Sequence, residues 1–415
     1  MPLNAADCAS LDQTLRTGGG LQDWRARFSP GAPGVTYFDA NSIGPMPLAA
    51  PGRMAEVLDT GWRQARRRGW SELDWLDQPR ALGSAISHLL GAEPQDVRVC
   101  DSTSLNQYKL LRHGLSTAAP RRVIVLERDV FPSNNHVAQG IARAGLAELR
   151  YIGQASELPA ALHPGDVAVV ALSHVDYRSS QRLDMLGLTR QAHAAGALAL
   201  WDLSHSAGAV ALQLRACEAD LAVGCGYKYL CGGPGAPAFL YVHPRCLGNG
   251  WPAIAGWMGH ADTFGFASEY RPADSPDRFL VGTPAVLANA AFSAAADIWR
   301  DVPPAALDTR HRSLTDTLIR LIDEQCDGLG LSLASPREHA LRGGHVALRF
   351  DGAAELAQAL VARGVIVSAR KPDALRFGVH PLTTTHEELW LAVQVLRDLL
   401  QTGDWNDPRF KSPAV

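Results

Sequence analysis

Residues 197–239 read ALALWDLSHSAGAVALQLRACEADLAVGCGYKYLCGGPGAPAF. Three short apolar runs, 198–201, 221–223 and 239–242, alternate here with turn-rich connections. Upstream, 97–100, 123–126 and 167–172 have the same character, and segments such as 134–144 and 188–195 carry helix-forming residues at helical spacing. This alternation predicts βα units built on a mostly parallel sheet, hence an α/β fold. The last hundred or so residues differ. A helical stretch over 306–325 precedes strand candidates at 345–350 and 364–368 and an amphipathic helix over 386–400, which predicts a smaller α+β domain. Residues 16–69 are rich in Arg, Gly and Pro without a clear sheet pattern, as in an arm joining two domains. The expected division is 1–70 for this arm and part of the small domain, 71–300 for the large α/β domain and 301–415 for the C-terminal domain. No internal repeat is visible.

Composition narrows the function. The chain has 415 residues, 47% hydrophobic and 20% charged, an ordinary globular profile. With 39 basic against 42 acidic side chains the formal charge is −3, too balanced for the electrostatic footprint of a nucleic-acid binder or a polybasic membrane binder. The run RQARRRG at 63–69 lacks interleaved aromatics and reads as a solvated helix face. MPLNAADCAS at the start has neither the basic residues nor the apolar run of a signal peptide, and stretches such as VAVVAL at 167–172 are far shorter than the ~20 residues a membrane span needs. Seven cysteines with no C-x-x-C pair suit thiols in a reducing cytoplasm, and the 14 histidines are too dispersed to define a metal site.

Ligands of open α/β sheets bind beyond the carboxyl ends of the strands, and here those positions carry polar residues. Asp101-Ser-Thr-Ser-Leu-Asn follows the first run, Phe131-Pro-Ser-Asn the second, Ser173-His174 the third and Asp202-x-x-His205 the fourth. Thr103 and Ser104 at a helix start can cradle a phosphate, although capping alone accounts for such residues. Asp202 can keep a pyridinium nitrogen protonated, turning a pyridoxal ring into an electron sink, or it can cap the next helix. Lys228 lies between two tyrosines ahead of a Gly/Pro loop, a setting in which a lysine forms a Schiff base. Nucleotide readings fail: there is no G-x-x-x-x-G-K-[ST], and GGPGAP precedes a strand rather than a helix.

Taken together, YFDANSIGPMP, DSTSLNQYKLL, FPSNN, SHVDYRSSQRLDM, WDLSHSAGAV, GCGYKYLCGGPGAPAF, AGWMGH, RFLVGTP, SPREHALRGGHVALRF and LRFGVHPL resemble the kynureninase family over nearly the whole chain. The resemblance implies the fold type I of pyridoxal-phosphate enzymes, that of aspartate aminotransferase. It also implies hydrolysis of kynurenine or 3-hydroxykynurenine to the corresponding anthranilate and L-alanine. Position by position, it implies that Lys228 carries pyridoxal 5'-phosphate as a Schiff base, that Asp202 pairs with the pyridine nitrogen and that His205 lies beside the cofactor. Thr103 and Ser104 would bind the phosphate, Phe131 would stack on the ring, and Ser133, Asn134 and Ser173 would line it. Tyr227 would contact the phosphate and serve as a general acid. Trp257 and Thr283 would reach the phosphate from a neighbouring subunit, which implies a homodimer with shared sites. Arg376 would grip the substrate carboxylate through its planar fork. Catalysis would then run through Lys228, Tyr227 and Asp202, with water adding to the substrate's γ-carbonyl before Cβ–Cγ cleavage.

Several positions depart from the family pattern. Asn134 replaces an acid, Asp176 adds one, Thr383 replaces a tyrosine, and Ala40 and Ser180 replace glycines. These leave the cofactor anchors in place and bear on substrate identity. Two rival readings remain: another reaction on the same scaffold, such as transamination, desulfuration or β-elimination, and a cofactor-binding module without turnover.

Overall fold

The computed structural model describes residues 3–17, 24–248 and 250–411; the other positions of the expected N-terminal arm lie outside these. One two-residue strand, β1 (Thr36–Tyr37), belongs to the arm. The large sheet follows with β2 (Val97–Val99), β3 (Val123–Glu127), β4 (Glu148–Ile152), β5 (Val167–Ser173), β6 (Leu198–Asp202), β7 (Leu221–Gly224) and β8 (Phe239–Val242). Its order is β2-β8-β7-β6-β5-β3-β4, parallel except for β8, which runs antiparallel to both β2 and β7.

Burial on both faces explains why the central strands read as unbroken apolar runs. All seven residues of β5 are buried. Alternate residues feed separate cores: Val123, Val125, Val170, Leu172 and Trp201 on one side, Ile124, Leu126, Val169, Ala171 and Leu200 on the other. The helices Thr103–Thr117, Pro132–Arg143 and Met185–Ala194 serve as connections.

A second core forms around the helices Pro304–Gln325, Ala353–Ala362 and His386–Thr402 and the strands β9 (Ser332–Leu333), β10 (Val346–Arg349), β11 (Val365–Ile366), β12 (Ser368–Arg370) and β13 (Ala374–Phe377). Four of these strands make an antiparallel sheet in the order β12-β13-β10-β9. The expected single strand over 364–368 is therefore two: β11 pairs in parallel with β1, while β12 joins β13. That pairing corrects the view of the arm as free of sheet structure. Phe38 and Cys8 enter the second core as well, while Trp24 and Phe28 enter the first, so the N-terminal segment packs against both units. The helix His386–Thr402 starts with a capping box, in which Thr385 and Glu388 satisfy each other's backbone N–H at 3.2 and 3.0 Å.

Candidate active site

Register sets the site. In the parallel pair β5–β6, Ser173 lies opposite Asp202, so the two polar side chains stand side by side where both strands end. Asp202 is buried; Oδ1 accepts from Ser204 N at 2.9 Å and Oδ2 from Asn134 Nδ2 at 2.9 Å. The same amide nitrogen lies 3.2 Å from Ser173 Oγ. Asn134 comes from the first turn of Pro132–Arg143, a helix whose start is preset by proline at its first position.

Lys228 lies in the connection that reverses the chain from β7 into antiparallel β8. Its Nζ is 2.9 Å from His205 Nε2 and 5.7 Å from the centroid of the Phe131 ring. Burial and the neighbouring Lys228 push the His205 imidazole well below its ordinary range, so this ring stays neutral. Tyr227 is pushed up to about 12 by burial, with Cys225 and Asp202 adding to the effect, which keeps its hydroxyl protonated. The N-terminal segment crosses directly over this turn: Gly44 N donates to Tyr227 O at 2.8 Å, and a Cβ at Gly44 would collide with the Lys228 carbonyl oxygen. That close approach is the physical need for glycine in the ANSIGP stretch.

The third component is the N-terminus of Thr103–Thr117, capped by Ser102 Oγ, which accepts from Leu105 N at 3.3 Å. Asp101 just before it has φ +49°, in the left-handed region. Wholly buried Lys109 fixes that turn, its Nζ donating to Asp101 Oδ2 and to Phe279 O, each at 2.7 Å.

A cleft of about 860 Å³ joins these parts and is lined by Thr103, Ser104, Phe131, Ser133, Asn134, Ser173, Asp202, His205, Tyr227 and Lys228 together. Thr283 instead lines an adjoining cavity of about 580 Å³, shared with Thr103 and Tyr227. Trp257 lies outside both linings, 40% exposed, with its ring 6.3 Å from that of Phe264. Arg376 on β13 is buried behind the cleft wall; Nη1 donates to Tyr177 O at 2.6 Å and Nη2 to Ser368 Oγ at 2.9 Å. Its guanidinium thus approaches the cleft through Tyr177, which is itself a lining residue.

The sequence reading missed Glu127, the last residue of β3, which also lines the cleft. Ser173 N donates to its Oε2 at 3.3 Å, and burial pushes the carboxyl up to about 7. Its position at a strand's carboxyl end was the available signal. Asp176, read as an added acid, spends Oδ1 on its own turn, accepting from Ser179 N at 2.6 Å, Ser179 Oγ at 2.7 Å and Arg178 N at 3.2 Å. Ser180, where the family has glycine, has φ +65°. Among the described residues there is no group of three or more His, Cys, Asp or Glu able to hold a metal ion, and no helix is long and apolar enough to cross a membrane.

The donor set fits pyridoxal phosphate. Hydroxyls and free N–H groups at a helix N-terminus suit its phosphate, a carboxylate held by two donors suits its pyridine nitrogen, and an amine in the same cleft suits its aldehyde. Comparisons agree. Residues 307–396 match the family described as "Kynureninase C-terminal domain". Kynureninase of Deinococcus radiodurans is 42% identical over 94% of this chain and 96% of its own length, and that of Pseudomonas fluorescens 39% identical over 98% and 97%. Among solved structures, the cystine C–S lyase C-DES bound to cysteine persulfide superposes with TM-score 0.74 at 21% identity, covering 89% of this chain and 99% of that one. An apo cysteine desulfurase from Thermococcus onnurineus NA1 gives 0.75 at 18% identity, covering 92% and 98%. The likeness to these two is one of fold, and with the sequence relatives it leads to one conclusion: the chain belongs to the kynureninase family, pyridoxal-phosphate-dependent hydrolases of carbon–carbon bonds in ketonic substances.

Proposed function

We propose that this enzyme hydrolyses the Cβ–Cγ bond of kynurenine or 3-hydroxykynurenine to L-alanine and the matching anthranilate, with Lys228, Asp202 and Tyr227 as its working groups. The observation that carries this reading is the meeting of Lys228, His205, Phe131 and Asp202 in one cleft, with Lys228 Nζ 2.9 Å from a neutral imidazole. Bound pyridoxal phosphate supplies the electron sink that stabilises negative charge on the substrate's carbon atoms.

The chain's residues do the rest. Lys228 Nζ takes the proton from the substrate's Cα and returns it; His205 Nε2 accepts a hydrogen bond from that amine without competing as a cation. Asp202 holds a proton on the pyridine nitrogen. The Tyr227 hydroxyl, protonated across the physiological range, would serve as a general acid in the cleft. Thr103 and Ser104 would hold the phosphate, while Phe131, Ser133, Asn134 and Ser173 would border the ring. Arg376 binds the substrate's α-carboxylate, exchanging its bond to the Tyr177 carbonyl for a bidentate contact.

A homodimer belongs to this reading, with Trp257 and Thr283 serving the neighbour's phosphate. Its support is a run of exposed aromatics in ring contact, Trp257, Phe264 and Phe266, the last 80% exposed. A cytoplasmic location goes with seven free cysteines. The test offers the loaded enzyme kynurenine and 3-hydroxykynurenine separately and follows alanine and the aromatic acid by chromatography. Alanine with an anthranilate is expected, the ratio of rates assigning the preferred ring. A keto acid or a sulfide as product would instead mean another reaction on this scaffold.

A further inference from the structure

One departure from the family pattern touches the chemistry directly. Asn134, 6% exposed, donates from one amide nitrogen both to Asp202 Oδ2 at 2.9 Å and to Ser173 Oγ at 3.2 Å. The β5–β6 register holds these two acceptors side by side, and Asn134 reaches them from a third element, the helix Pro132–Arg143. An amide nitrogen carries two hydrogens and accepts nothing, so it can serve both oxygens at once.

We propose that Asn134 is the positioning residue of Asp202, its amide fixing the carboxylate at the sheet edge in the one orientation that meets the cofactor's pyridine nitrogen. The inference rests on the reading of Asp202 given under the proposed function and deepens it. The other groups that face Asp202 are Ser204 N from its own loop, His205, and Cys225, Tyr227 and Lys228 from the turn after β7. Glu127 stands one hydrogen bond further, through Ser173 N. Of these, only Asn134 and Ser204 donate a hydrogen bond to the carboxylate. Removing the amide leaves Oδ2 without its donor. Replacing it by a carboxylate sets two acids at hydrogen-bond distance, which must share a proton or repel.

Three variants test this on the apoprotein, with cofactor affinity read by equilibrium dialysis and folding checked by circular dichroism. N134S, whose hydroxyl is too short to span the distance, should weaken pyridoxal-phosphate binding roughly tenfold, the worth of one hydrogen bond to a charged group. N134D should unfold at lower urea than wild type, with the gap widening from pH 5 to pH 8 as the shared proton is lost. D202N is the control and should weaken binding more than N134S does. A D202N defect beside N134S binding within twofold of wild type would overturn the inference alone. So would an N134D urea gap that is the same at both pH values, because the new carboxylate would then not meet Asp202. Unchanged binding in D202N would overturn the reading of Asp202 itself, and the inference with it.

Discussion

Glu127 offers a direct test of the electrostatics of the cleft. Its carboxyl is raised from the ordinary 4.5 to about 7, chiefly by burial; Asp176 adds to the rise and Ser173 N opposes it. The native state therefore binds a proton more tightly than the unfolded chain. Stability from this group is fully present below pH 4.5 and is lost as pH climbs toward and through 7. Integrating the difference in protonation between pH 5 and pH 8 gives a loss of about 2 to 3 kcal/mol, an upper figure for a side chain that water in the cleft can reach. Glu127→Gln keeps the shape and an oxygen for Ser173 N but cannot ionise. In urea unfolding of the apoprotein, wild type should lose stability from pH 5 to pH 8 relative to E127Q, so that the variant becomes the more stable protein at the alkaline end. Parallel stability curves for the two proteins across that range would refute the reasoning, since Glu127 would then titrate as it does in the unfolded chain.

Other outcomes follow from single contacts. Borohydride reduction of loaded wild type should leave the cofactor on a peptide containing Lys228, and K228A should retain none after dialysis; label found on another lysine would move the site. G44A pushes a methyl group into the Lys228 carbonyl and should cost about 1 to 3 kcal/mol of stability by urea unfolding, as overpacking of a filled site does. K109M removes a buried cation that bonds Asp101 and Phe279 O, and should destabilise the fold by about 3 kcal/mol while weakening phosphate-dependent cofactor binding; an unchanged affinity for the cofactor would uncouple the Asp101 turn from the anion cradle.

The parts of this fold that were legible in the sequence are those buried on two faces. β5 and β6 announce themselves as apolar runs because helices cover both sides of the sheet, and the polar residues that follow them mark its carboxyl edge. β4 escaped because it is an open edge strand: Glu148, Leu149, Arg150 and Tyr151 are exposed or half-buried, whereas all three residues of β2, at the other edge, are buried. β13 escaped for the opposite reason. All four of its residues are buried, yet one is Arg376, whose charge reads as loop until Tyr177 O and Ser368 Oγ are seen to satisfy it. Glu127 was passed over because a carboxylate closing an apolar strand looks like the start of a solvated turn; only the burial produced by Ser173 and its neighbours makes it part of the cleft.

The departures from the family pattern separate by what their atoms touch. Asp176 closes its own turn through Oδ1 with three hydrogen bonds from residues 178 and 179, and from there its charge also reaches Glu127. Ser180 accepts a positive φ that favours glycine, a strain of roughly 1 kcal/mol, and in return its Oγ accepts from His345 N at 3.2 Å, tying this turn to the smaller unit. Thr383 gives its carbonyl oxygen to Arg25 at 2.7 Å in a separate groove that Gly44 also lines. Asn134 alone reaches Asp202. The Asn134 change therefore acts on how Asp202 is held, whereas Asp176, also a lining residue, acts on the cleft by raising the Glu127 carboxyl. Glu127, Tyr177 and Arg178 line the same cleft and add charged and hydrogen-bonding groups to it.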